Sequence, residues 1–77
     1  MTRIAFELAA PGPARLKIYD PAGRLVAVLF DAHREAGYQS VLWDGRDMAG
    51  RMSAAGVYLY QLEAEGFVKS GRVTMVK

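Results

Sequence analysis

Cysteine is absent from the 77 residues, so neither a disulfide framework nor a zinc–thiolate site is open to this chain. The absence does not fix the compartment, because secreted bacterial domains also do without cysteine. Histidine is almost as scarce. His33 is alone, beside Arg34 and Glu35, and a lone loop histidine is ordinarily just solvated. Ser40, Ser53 and Ser70 have no Gly-x-Ser-x-Gly context to make a nucleophile. Glycine-rich phosphate loops and a His-Glu-x-x-His helix are missing too. The expectation is a non-enzymatic chain with no catalytic residue, no cofactor and no metal.

Long apolar runs are also lacking. Nothing approaches the roughly 20 residues of a membrane helix, and no basic-then-apolar leader follows Met1-Thr2-Arg3. Charge of one sign is in short supply: ten basic against eight acidic residues give a net +2. The cations Arg3, Arg15, Lys17, Arg24, Arg34, Arg46, Arg51, Lys69, Arg72 and Lys77 never form a run. So small and dispersed an excess is a solvated surface, and nucleic acid is not an expected partner.

What the chain does have is apolar content, 52% of its residues, in one domain near the lower size limit for a self-sufficient core. Thr2, Ile4, Phe6 and Leu8 alternate with Arg3, Ala5 and Glu7, which is the pattern of a half-buried strand. Ala9-Ala10-Pro11-Gly12-Pro13 ends it, and Leu16 and Ile18 mark a second strand closed by the turn Asp20-Pro21-Ala22-Gly23. Residues 24–36 are open to two readings. Leu25, Val28, Leu29, Ala32 and Ala36 have helical spacing with Asp20 as N-cap and Gly37 as terminator. Against a helix stand Gly23 in its first turn and the β-branched Val26 and Val28. The preferred expectation is a strand from Arg24 to Phe30, buried on both faces, then a loop from Asp31 to Gly37. Strands over Tyr38–Trp43, Val57–Ala64 and Phe67–Val76 follow, with Val73 and Met75 inward. No internal repeat stands out.

Recurrence of a strand about every 10 residues predicts an antiparallel β-sandwich. The densest stretch is Trp43-Asp44-Gly45-Arg46-Asp47, Gly50, then Gly56-Val57-Tyr58-Leu59-Tyr60. Its aspartates and glycines are turn chemistry. Counted from Asp44, position 3 is Arg46 and position 5 is Met48, which fails the calcium-hand pattern. Tyr19, Tyr38, Tyr58 and Tyr60 suggest a sugar-stacking platform as one reading. The preferred one puts Tyr58, Tyr60 and Trp43 in the core, with Tyr58 placed like a tyrosine corner.

These residues together resemble a known group of modules. Thr2-Arg3-Ile4-Ala5-Phe6-Glu7-Leu8, Leu16 through Arg24, Gly37 with Val41, Trp43 through Asp47, Gly50, Gly56 through Leu62 and the closing Arg72 through Lys77 are similar, in register, to bacterial C-terminal immunoglobulin-like modules. Two related families share the pattern: the type IX secretion C-terminal sorting domain, and the Ig-like domain of the flagellar hook-capping protein. The Gly-Val-Tyr-Leu-Tyr strand and the lysine-ended tail look more like the sorting family. Ala55 stands where a serine is common, and Gly71 interrupts the last strand.

The resemblance implies an immunoglobulin/fibronectin-III-like β-sandwich of six to seven strands over 1–77, taken from the C-terminus of a larger protein. It further implies a sorting or anchoring module, secreted to the cell surface through the periplasm. Its partners would be an outer-membrane secretion apparatus and an N-terminal cargo domain. The recognised element would be the last strand, through Arg72, Val73, Met75 and Lys77. The alternatives are a structural assembly module like the hook-capping domain and a carbohydrate-binding accessory module.

Overall fold

The structure, a computed structural model, describes residues 1–76. Six strands occur in chain order: β1 (Thr2–Leu8), β2 (Gly12–Tyr19), β3 (Leu25–Arg34), β4 (Gly37–Trp43), β5 (Gly56–Ala64) and β6 (Phe67–Met75). They form two antiparallel sheets, one of order β1-β4 and one of order β3-β2-β5-β6. The helical reading of 24–36 is not realised, and the β-sandwich is.

Alternation decides what is buried. On β1, Ile4, Phe6 and Leu8 turn inward while Arg3, Ala5 and Glu7 face water. Leu16 and Ile18 from β2, Trp43 from β4, Tyr58 and Leu62 from β5, and Val73 and Met75 from β6 meet them between the sheets. Trp43, Leu16, Ile18 and Leu62 are the largest fully buried side chains. Nonpolar area removed from water at roughly 25 cal/mol per Å² is the main stabilising term in a fold without covalent cross-links.

β3 departs from expectation in two ways. It runs on to Arg34, because Asp31, Ala32, His33 and Arg34 pair with Arg15, Ala14, Pro13 and Gly12 of β2. It is also not buried on both faces: Leu25 and Val28 stay 43% and 39% exposed, and the strand lies at a sheet edge with β2 as its only ladder partner among the described residues. Two register shifts break the period of two along this strand. The partner of β2 steps from Phe30 to Val28 and from Ala27 to Leu25, so Leu29 and Val26 are bulged residues. The side chains packed on or into the core become Val26, Ala27, Leu29 and Phe30. That set shares only Leu29 with the helical stripe of Leu25, Val28, Leu29, Ala32 and Ala36, and Val26 and Phe30 lie off it.

Gly71 does not interrupt β6. It pairs directly with Tyr60 of β5, and a Cβ built on it would lie 2.5–2.6 Å from Cε2, Cζ and Oη of the Tyr60 ring. The half-buried ring therefore lies across the glycine backbone, an arrangement in which an aromatic side chain shields a strand glycine.

Candidate functional site

The stretch between β4 and β5 holds a dense polar network and contains a turn that the chain also uses between β2 and β3. Asp20-Pro21-Ala22-Gly23-Arg24 and Asp47-Met48-Ala49-Gly50-Arg51 share the pattern Asp-x-Ala-Gly-Arg. In the first, Asp20 Oδ1 accepts from the backbone N–H of Ala22 at 3.0 Å and of Arg24 at 2.9 Å. In the second, Asp47 Oδ1 accepts from Ala49 at 2.9 Å and Arg51 at 3.0 Å. The backbone bonds match as well: each aspartate N–H donates to the arginine carbonyl, and each glycine N–H to the aspartate carbonyl. Gly23 and Gly50 take φ of +87° and +83°, the left-handed position that closes a three-residue turn. Although no internal repeat stands out along the chain, these two five-residue strings align.

The second turn docks on the strand that the first one starts. Met48 N–H donates to the Val26 carbonyl at 2.9 Å. Val26 is a bulged residue of β3, outside the β2 pairing, and so has a carbonyl to offer. The loop thereby covers one end of an edge strand.

Trp43 fixes the base of the loop. Its Nε1–H donates to the Arg46 carbonyl at 3.1 Å, and its ring meets Tyr58 edge-on with centroids 5.1 Å apart. The Tyr58 hydroxyl donates to the Ala54 carbonyl at 2.5 Å, four residues back, as a tyrosine corner does. Gly45 is buried with φ of +86°, and a Cβ there would stand 2.9 Å from Met75 Cε. Asp44 Oδ1 accepts from Arg46 N–H at 2.9 Å. The oxygens that a calcium reading needs are thus engaged by backbone amides, and no cluster of three metal-ligating side chains occurs among the described residues.

The residues expected to meet a partner separate into two groups. Arg72 is exposed on the outer face of β6. Val73 and Met75 are core residues, 7% and 3% exposed, because they alternate with Arg72 and Thr74 toward the opposite sheet. Their side chains point inward, as expected, so in a partner contact these two positions could offer only the main chain of the edge strand. Lys77 lies outside the described residues. The four tyrosines do not share a platform. Tyr58 is buried, Tyr60 is half-buried with its ring laid over Gly71, Tyr19 is half-buried, and Tyr38 alone is fully open at 86%. His33 is exposed, with Nε2 3.2 Å from Glu35 Oε1.

Two carboxylates are held below their ordinary range. For Asp20 the main cause is the Arg24 backbone N–H, helped by the Arg24 guanidinium. For Glu63 it is the Lys17 ammonium at 3.1 Å, then Arg15 at 3.0 Å. In acid the unfolded chain binds protons at these groups before the folded one does, so stability rises with pH across that interval. The contribution is complete above the ordinary values of 3.8 and 4.5 and is lost as pH falls through the lower folded values. Urea unfolding midpoints should therefore drop below about pH 4, and Glu63→Gln should flatten that drop.

The sequence profile of the FlgD Ig-like domain matches residues 1–66. The chain belongs to the FlgD Ig-like domain family. Among solved structures, "The crystal structure of FLGD from P. aeruginosa" is similar, with a TM-score of 0.71 and 22% identity, covering 96% of this chain and 58% of that one. At that identity the likeness shows the fold, and this chain spans only about 58% of the solved chain's length. No curated protein matches. The family match spans β1 to β5 and stops before β6.

Proposed function

We propose that this chain is a non-catalytic structural module that works by packing against neighbouring subunits of a larger assembly outside the cytoplasm, as the flagellar hook-capping domain does. Family membership over residues 1–66 is the observation that carries the reading. The polar groups of the two turns and of the strand ends beside the loop support it, since Asp20, Asp44, Asp47, Trp43 Nε1 and the Tyr58 hydroxyl are all engaged by the chain's own backbone. Surface is available for packing. Val57 and Leu59 are 47% and 39% exposed on the outer face of the four-stranded sheet, and Leu59 stands directly across from Arg72. Apolar side chains beside a cation suit a subunit contact.

No comparable observation favours the sorting reading. It leaned on the Gly-Val-Tyr-Leu-Tyr strand, whose tyrosines serve the core and the Gly71 contact, and on a terminal lysine outside the described residues. The two readings separate in a host with a type IX apparatus. A folded reporter fusion carrying this domain and its native upstream segment is expected to stay unexported. Export that depends on Arg72 would overturn the assembly reading in favour of sorting.

A further inference from the structure

A free strand edge offers unpaired N–H and C=O groups, and proteins guard such edges with charge, proline, bulges or a covering loop. Three of the four free edges here are guarded. β3 carries two bulges, and the loop takes its Val26 carbonyl. The outer edges of β1 and β6 face one another, with Thr2 Oγ1 donating to the Thr74 carbonyl at 3.1 Å, and β6 adds Lys69 and Arg72. β4 is different. Gly37-Tyr38-Gln39-Ser40-Val41-Leu42-Trp43 contains neither a charge nor a proline of its own, the Arg34 guanidinium of β3 reaches only its Gln39 side chain, at 3.3 Å, and β1 is its only ladder partner among the described residues. From its outer face Tyr38 and Leu42 project at 86% and 57% exposure.

We propose that β4 is a self-association edge, which pairs antiparallel with β4 of a second copy of this chain about a two-fold axis at Ser40. The two-stranded sheets then join into one sheet of order β1-β4-β4-β1. Tyr38 and Leu42 flank Ser40 symmetrically on the exposed face, so the axis brings Tyr38 of each copy opposite Leu42 of the other. Their partners on β1 are Glu7 and Arg3 respectively. Each new cross-strand row therefore reads Glu7, Tyr38, Leu42, Arg3, with an anion from one copy at one end and a cation from the other copy at the far end. Moving the axis by one residue separates both apolar pairs, so the side chains select this register. A C2 contact must be complementary to itself, and this edge is.

Seven paired residues fall well short of the roughly 1,600 Å² of a standard interface, so the contact is weak and suits copies already held close together. It deepens the assembly reading by naming one contact, and rests on that reading only for its biological setting; the pairing is measured on the isolated chain.

Sedimentation of the chain at concentrations up to about 1 mM should show a reversible dimer. Ser40→Lys sets two like charges opposite one another at the axis and should weaken dimerisation by about tenfold or more. Its unfolding midpoint as a monomer should not change, because residue 40 is exposed. The register is read by disulfide trapping, for which the cysteine-free chain is a clean background. Ser40→Cys should oxidise to a covalent dimer, since facing residues of an antiparallel pair have Cα atoms roughly 4.5–5.5 Å apart, within disulfide reach. Tyr38→Cys alone should not, its two copies lying about 13 Å apart along the strands, but mixed with Leu42→Cys it should. A chain that stays monomeric throughout, a Ser40→Lys variant that dimerises unchanged, or Tyr38→Cys trapping itself as fast as Ser40→Cys each overturns the proposal. A monomer leaves the assembly reading intact, because the type IX export test bears on that reading independently.

Discussion

Trp43→Ala is expected to lose about 3–5 kcal/mol of stability, the range for emptying an aromatic site in a core. Trp43 is 1% exposed, the largest of the fully buried side chains, and it faces Tyr58 across the sandwich. The substitution also removes the donor that the Arg46 carbonyl uses, so the cavity opens at the base of the loop. Small domains hold only about 5–15 kcal/mol in total, and a large part of the variant population should be unfolded at ambient temperature. Trp43→Phe separates the two losses, since it refills much of the volume but leaves the carbonyl without its donor. Chemical denaturation of the three proteins should rank them wild type, Phe, Ala. Equal midpoints for wild type and Ala would mean that the indole is not in the core.

Gly71→Ala is expected to destabilise by about 1–3 kcal/mol, although it adds one methyl group on an edge strand and alanine is ordinarily tolerated there. The methyl would enter the Tyr60 ring at 2.5–2.6 Å, and the ring can yield only by leaving its place over the strand. The clash belongs to the pair, so the cost should be non-additive. In the Tyr60→Ala background, Gly71→Ala should cost much less than it does alone, and a double-mutant cycle measures the difference. Full additivity would mean that glycine is needed at 71 for backbone reasons and that Tyr60 is a bystander.

These two positions also show how far a sequence can be read. Trp43, Leu16, Ile18 and the inward residues of β1 were legible because regular alternation leaves a clean period of two. β3 was not, because its bulges at Val26 and Leu29 break that period, and the bulges exist only in relation to β2. Gly71 reads as a defect in a strand until Tyr60 is seen across the ladder, which is a non-local fact. The turn aspartates were identified correctly from local chemistry. Their shared Asp-x-Ala-Gly-Arg geometry, and the bond from Met48 to the Val26 carbonyl, depend on which strand each turn meets. On the last strand the inward places of Val73 and Met75 were legible from alternation, and both are core. The exposed edge of β4 lay unnoticed, since sequence reveals a strand but not its place in a sheet.

The most direct measurement is a domain exchange, in which this chain replaces the matching segment of the P. aeruginosa FlgD and hook assembly is scored in cells that have no other copy. The chimera must first be shown to fold and accumulate. Hooks should then form, and they should be lost when the exposed Val57 and Leu59 are both changed to lysine in a chimera that still folds. A folded, abundant chimera that never supports a hook would contradict the assembly function, and hooks unaffected by those substitutions would contradict the surface assigned to it.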